Sequence, residues 1–198
     1  MADKGERTRR KIIEAALPLF SVKGYFNTSI SDILAATRLT KGGLYCHFQS
    51  KEDIWYAVYD EAVQVWRQTV FADMRSVTDP LRRIEKTCEH VLRRYLEREI
   101  FDGGCFFVNM LGELSGQSAT MSRHILNGFV GFAKLFQTWL EEARSAGQLR
   151  SGLDIREIAN FIVITRNGAA TLFTASRDAI VLRQTSVQLR TYLSLLKK

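Results

Sequence analysis

The chain has 198 residues, 46% of them hydrophobic and 25% charged, and its 28 lysines and arginines outnumber 21 acidic residues for a formal net charge of +7. This composition excludes a disordered chain and supports one sizeable core, or a core with a small satellite, in one or two domains. Only two prolines occur, where an average usage of roughly 5% would give about ten, and that scarcity points to helices.

The first apolar-periodic stretch, residues 8–23, predicts a helix that is kinked at Pro18, because proline removes the hydrogen bond to the Glu14 carbonyl. Ser29-Ile30-Ser31-Asp32 is a capping box that opens a short helix over about 29–36. After the link Thr37-Arg38-Leu39, Thr40 caps a second short helix over about 41–47. Ser50-Lys51-Glu52-Asp53 is another capping box and opens a long helix to about residue 75, with Ile54, Val58, Ala62, Val65 and Thr69 on its buried side. Asp79-Pro80 supplies an N-cap followed by proline at the first helical position.

From there the periodicity stays helical. Leu81, Ile84, Cys88, Val91 and Tyr95 step by three and four. So do Met121, Ile125, Phe129, Phe132, Phe136 and Trp139, then Ile155, Ile158, Ile162, Thr165, Ala169 and Leu172, and finally Leu182, Ser186, Leu189, Leu193 and Leu196. Gly103-Gly104, Gly147 and Gly152 mark helix ends. No comparable run of alternating β-branched residues and no internal repeat occurs, so the expected class is all-α.

Charge is unevenly distributed. Residues 1–51 hold nine basic groups against four acidic ones, a net of +5, which leaves +2 for the other 147 residues. That excess suits contact with phosphates, although a solvated basic face is the plainer alternative. Two short helices joined by a tight turn behind a longer helix form a three-helix unit whose second short helix can enter a major groove. Gly42 and Gly43 leave the start of that helix bare, so its backbone can approach a phosphate. Lys41, Tyr45 and His47 can donate to phosphates, Lys51 stands at the start of the next helix, and Leu44 and Phe48 should face inward.

The stretch from Thr8 to Ile54 resembles the DNA-binding domain of the TetR family of bacterial regulators. The resemblance is carried by Leu19-Phe20, Gly24-Tyr25, Thr28-Ser29, Asp32-Ile33, Thr40-Lys41-Gly42, Leu44-Tyr45, His47-Phe48 and Ser50-Lys51-Glu52. It implies an all-α homodimer, with a helix-turn-helix domain over residues 1–50 and a larger helical effector-binding and dimerisation domain over residues 51–198. It also puts Thr28, Ser29, Thr40, Lys41, Gly42, Gly43, Tyr45, His47 and Lys51 at positions that meet double-stranded operator DNA. One departure stands in the turn, where the family commonly has Ala-Gly-Val and this chain has Thr37-Arg38-Leu39. If φ is positive there, arginine costs on the order of 1 kcal/mol relative to glycine. Arg38 then either contacts a phosphate or points to water. Cys46 occupies a variable position on the recognition helix, where it can touch a thymine methyl, sit idle or be modified.

In the C-terminal two thirds, eight of twelve phenylalanines lie between residues 101 and 173, a density that fits an ordinary core or an apolar pocket. The run Asp102-Gly103-Gly104-Cys105-Phe106-Phe107-Val108-Asn109-Met110 resembles a segment of AcrR-like TetR regulators in which a Gly-Cys pair begins the sixth helix. Some of those sense electrophiles or oxidants through the cysteine. A helix N-terminus lowers a thiol pKa, whereas Asp102 opposes that and a buried cysteine is inert, so both readings of Cys105 stand. Asn109 and Glu113, at i and i+4, either orient a ligand or bond their neighbours. The expected effector set is Cys105, Phe107, Asn109, Met110, Glu113, Phe136 and Trp139. Arg166 and Asn167, polar in the otherwise apolar run 158–173, stay open in the same way, a dimer partner being one thing they could face, while Gly168, Ala169 and Ala170 are expected to let the last two helices approach closely and form a four-helix bundle with the partner's pair.

Three cysteines without a CxxC pair exclude a disulfide framework or a zinc knuckle. The N-terminal stretch is charged and no run of about 18 apolar residues occurs, so a soluble, cytoplasmic protein without a membrane partner is expected. No G-x-S-x-G, GxxxxGK[ST] or H-E-x-x-H is present, and the histidines are dispersed at 47, 90 and 124. No catalytic residue, metal or cofactor is therefore expected. The reading that follows is a ligand-responsive regulator, a repressor that binds a palindromic operator as a dimer and is released by a small apolar or electrophilic effector. The alternatives are a helical enzyme with a basic N-terminal region and an architectural DNA-binding protein without an effector.

Overall fold

Capping chemistry sets most helix boundaries in the computed structural model, which describes residues 4–198. Met1 to Asp3, part of the charged start of the chain, lie outside the described residues. Helix α1 (Lys4–Lys23) runs unbroken through Pro18. The proline and Glu14 are both on the exposed side, so the carbonyl that loses its partner faces solvent and the interruption expected there is tolerated.

Helix α2 (Ile30–Thr37) opens with the reciprocal capping box of Ser29 and Asp32. Its C-cap, Arg38, has φ 55° and ψ 30°, which meets the condition under which arginine is strained at this site. Thr40 caps α3 (Lys41–Tyr45), which is two residues shorter than its pattern suggested. Beyond it, the His47 and Phe48 N–H groups both bond to the Leu44 carbonyl, His47 through a shorter three-residue turn.

Helix α4 (Lys51–Val70) starts at Ser50 as expected but stops about five residues early. The physical reason is distant in sequence, for buried His90 sits with its Nδ1 2.8 Å from the Val70 carbonyl. A carbonyl only accepts, so Nδ1 carries the proton, and burial keeps the ring neutral by lowering its pKa. A turn of 3₁₀ helix at Met74–Ser76 follows.

Helix α5 (Pro80–Glu89), with Asp79 as N-cap, widens into a π-helical segment over His90–Glu97. Then come α6 (Phe106–Leu114), the 27-residue α7 (Ala119–Ser145), α8 (Ile155–Ser176) and α9 (Ala179–Leu195). Apart from one isolated bridge between Leu149 and Lys197, the described residues form no β-structure.

Helix α1 packs on α2 and α4, α4 crosses to the π-helical segment, and α7 lies along α8 with α5 and α6 on its other sides. The predicted inward faces are buried, as at Leu44, Phe48, Ile125, Ile162 and Leu189, or half-buried, as at Val65, Thr69, Phe129, Trp139 and Thr165. Leu172 is the exception at 61% exposed. It closes the α8 series on the outer surface, where Phe161 and Ile164 also stand exposed. No described helix is long and apolar enough to cross a membrane.

Candidate nucleic-acid interface and effector cavity

The α2–α3 unit presents Ser29, Arg38, Thr40, Lys41, Gly42, Tyr45 and Cys46 exposed, with Gly43 and His47 half-buried. Thr40 Oγ1 accepts from Gly43 N at 3.2 Å, which fixes the start of α3. A Cβ on Gly42 would meet nothing within 4 Å of its own chain, so no internal crowding requires glycine there. The bare backbone matters only to something that approaches from outside.

Two of the residues expected at DNA lie behind this face. Thr28 is fully buried and donates its hydroxyl to the Gly24 carbonyl at 2.7 Å. Lys51 donates to the Tyr25 and Thr28 carbonyls at 2.9 and 3.0 Å, and its ammonium stands 4.3 Å from the Tyr25 ring centroid. Thr28 ties the α1–α2 loop back to the end of α1 and Lys51 ties it to α4, so their hydrogen bonds are committed inside the protein.

The same loop is gripped from the C-terminal region. Glu113 of α6 accepts from the backbone N–H groups of Tyr25 and Phe26, each at 2.8 Å. Those N–H groups follow the end of α1, and Gly24, at φ +85°, has no space for a side chain because its Cβ would fall 2.5 Å from Glu113 Oε2. Gly103 is equally constrained, since its Cβ would lie 1.9 Å from the Ser21 carbonyl oxygen of α1. Asn109 Nδ2 in turn donates to the Gly103 carbonyl at 2.7 Å. Asn109 and Glu113 do share one helix face, but it meets α1 and the Gly103 turn and does not face a pocket.

A cavity of about 110 Å³ lies between α4, the π-helical segment, α6, α7 and α8, with Tyr59, Trp66, Phe107, Phe129 and Phe132 among its walls. Of the seven residues expected to bind an effector, Cys105 and Phe107 line it. Met110 packs elsewhere, accepting from Trp55 Nε1 at 3.5 Å. Phe136 and Trp139 stack on each other one to two turns beyond Phe132, with ring centroids 6.0 Å apart. Periodicity had put them on the correct face of α7 but could not say where along it the cavity ends.

Arg166 and Asn167 are settled by the packing. They line the cavity and do not turn outward to a partner, and Arg166 is only 4% exposed within its own subunit. Its Nη2 donates to Asn167 Oδ1 at 3.0 Å, its Cζ lies 4.4 Å from the Phe132 ring centroid, and its Nε meets no protein acceptor. The position of Arg166 in an otherwise apolar run was the one signal available in the sequence. Cys105 is buried nearby, with Tyr95 Oη 3.8 Å from its sulfur, and burial pushes the thiol pKa up. Cys88, also buried, is pushed up to about 12 for the same reason. Neither resting thiol is the thiolate that reactivity needs. No group of His, Cys, Asp and Glu among the described residues is arranged to hold a metal ion.

A three-helix unit with an exposed short helix, set on a helical bundle around an aromatic cavity, defines a helix-turn-helix regulator. Residues 12–58 match the family model described as bacterial regulatory proteins of the tetR family, and residues 80–189 match the tetracyclin repressor-like C-terminal domain. The chain therefore belongs to the TetR family, whose members are transcriptional regulators and not enzymes. It is 28% identical over 172 residues to the HTH-type transcriptional repressor DhaR of Mycobacterium sp. (strain GP1), a match covering 86% of this chain and 84% of that protein. A TetR transcriptional regulator from Chloroflexus aurantiacus J-10-FL superimposes with a TM-score of 0.90 at 29% identity, covering 98% of each chain. A TetR-family regulator from Cytophaga hutchinsonii shares the fold, with a TM-score of 0.89 at 23% identity over 100% of this chain and 98% of that one.

Proposed function

We propose that the chain is a ligand-responsive repressor that binds a palindromic operator as a homodimer in the cytoplasm. Residues 1–50 read the DNA and residues 51–198 bind the effector and the partner. The observation that carries this reading is the pairing of an exposed, donor-rich recognition unit with an aromatic cavity, joined through the Glu113 carboxylate on the α1–α2 loop. Ser29, Arg38, Thr40, Lys41, Gly42, Gly43, Tyr45, Cys46 and His47 form the DNA face, and Thr28 and Lys51 hold it in shape from behind. Repression is supported by the relative named as a repressor.

Dimerisation through α8 and α9 is supported by their outer faces, where Phe161, Ile164, Leu172, Ile180, Val187 and Leu195 are exposed. Pairing these faces buries an apolar surface that a monomer would leave in water. The two recognition units then reach successive major grooves about one helical turn apart. An effector that fits the cavity in only one arrangement of α4 and α6 shifts the dimer toward a spacing the operator does not accept.

A salt-dependent footprint on DNA upstream of the chain's own coding region tests this. A protected, inverted-repeat site that a small molecule releases is the expected result. Absence of any sequence-selective protection at low salt overturns it.

A further inference from the structure

We propose that the cavity takes a small carboxylate, with the anion on Arg166 and Asn167 and an apolar body no larger than a single ring against Trp66, Phe107 and Phe129. This deepens the effector reading above and rests on it only for the regulatory consequence.

The argument starts from what a guanidinium requires. Arginine carries five N–H donors and a charge that proteins do not remove, so a buried one normally sits in a full set of acceptors or opposite a carboxylate. Arg166 has neither. It is 4% exposed, its one protein acceptor is Asn167 Oδ1, and its Nε has none. The charged or ionisable groups around it are Cys105, Cys88 and Tyr95, with no carboxylate among them. The Phe132 face at 4.4 Å offers cation–π attraction but no hydrogen bond.

Asn167 is oriented by the same contact. With its Oδ1 turned to the guanidinium, its amide N–H₂ is left as a further donor beside the cavity. A positive charge with free N–H groups and an adjacent amide donor, facing an apolar space, recognises a monoanion that accepts through two oxygens. A carboxylate does so, whereas a phosphate dianion brings a second charge that nothing in the cavity balances.

Size limits the rest of the ligand. The cavity is about 110 Å³, below the roughly 150 Å³ of an apolar cavity that accepts benzene, so a short aliphatic body fits it as it stands and a single ring is the upper limit, reached only if the walls yield. Aromatic walls at Trp66, Phe107 and Phe129 suit a flat or short aliphatic body. The π-helical segment contributes Val91, Tyr95 and Leu96 to the same cavity, so a ligand there also touches the element that ends α4 through His90.

The test uses the intact protein without DNA. Propionate, butyrate and benzoate are titrated, each beside its primary amide, following tryptophan emission (Trp66 stands in the cavity wall) and thermal stability. At least one carboxylate should bind tenfold or more tightly than its amide. Arg166→Met should abolish that preference and Arg166→Lys should keep part of it. The proposal is overturned if no carboxylate is preferred over its amide, or if Arg166→Met keeps the preference. The wild-type comparison stands even if the methionine variant misfolds. A gel shift then separates the two readings. A carboxylate that binds without releasing DNA leaves the anion site intact and overturns its role as effector, while DNA release by other molecules, with no carboxylate preference, overturns the anion site alone.

Discussion

The two regions of the molecule are held together on different length scales. In the DNA-reading unit the bonds that start each helix span three residues, as in Asp32 N to Ser29 Oγ, Gly43 N to Thr40 Oγ1 and Asp53 N to Ser50 Oγ. In the rest of the chain, bonds between elements span tens of residues. Trp55 reaches Met110, His90 caps Val70, and the Cys105 backbone N–H points at Thr174 Oγ1 from 69 residues away. The first kind of bond fixes a shape that every copy of the motif shares. The second makes a space whose walls come from five elements, two of which, α4 and α6, also hold the α1–α2 loop.

The seam between the regions uses both kinds, and it is where the contrast can be broken hardest. A methyl group at Gly103 collides with the Ser21 carbonyl oxygen, so Gly103→Ala should cost on the order of 3 kcal/mol by overpacking and lower Tm by roughly 6–12 °C in calorimetry. Gly112→Ala, where a Cβ meets nothing within 4 Å, is the control and should be neutral or stabilising. If both variants melt like the parent, α1 and the Gly103 turn are not wedged together.

Lysines 51 and 41 sharpen the comparison next. Lys51→Ala removes two charge-assisted hydrogen bonds to the α1–α2 loop and should lower stability by about 2 kcal/mol. Its DNA affinity should fall without a change in salt slope. Lys41→Ala should leave the melting temperature alone and reduce the slope of log K against log salt by about 0.9, the signature of one lost phosphate contact. Exchanged outcomes would put Lys51 at the DNA and Lys41 off it.

The smallest expected effect is at the α2 cap. Hydrogen bonds from the Ser29 hydroxyl and backbone N–H, with help from Lys23, hold the Asp32 carboxyl pKa down at about 2. A folded-state pKa below the unfolded value contributes stability that is present above about pH 4 and is lost as pH falls through 2. Asp32→Asn should therefore flatten the acid limb of the stability profile between about pH 4 and pH 2. Profiles that stay parallel would show that this cap adds nothing to the cohesion of the unit.

Much of this is legible in the sequence, and the exceptions have a common cause. Ser29, Thr40, Ser50 and Asp79 announced their helices because a cap needs only a side chain and an N–H two or three positions on. Leu44 and Phe48 were assigned inward by spacing alone. Asn109 and Glu113 were correctly paired on one face, yet spacing carries no information on what that face meets, and it meets α1 and the Gly103 turn. Phe136 and Trp139 follow the same stripe as Phe132, and only the depth of the neighbouring helices separates cavity wall from core.

Local chemistry in the sequence thus determined the helical class, the three-helix reading head, its exposed donors and the family to which the chain belongs. Tertiary structure alone decided that Thr28 and Lys51 serve the inside of that head, that Glu113 ties it to the effector region, and that Arg166 faces a cavity without a counter-charge. Caps and turns depend on neighbours a few residues apart, whose order the chain spells out. A buried charge or a cavity depends on which distant helices come to rest beside it, and that is fixed only when the whole bundle packs.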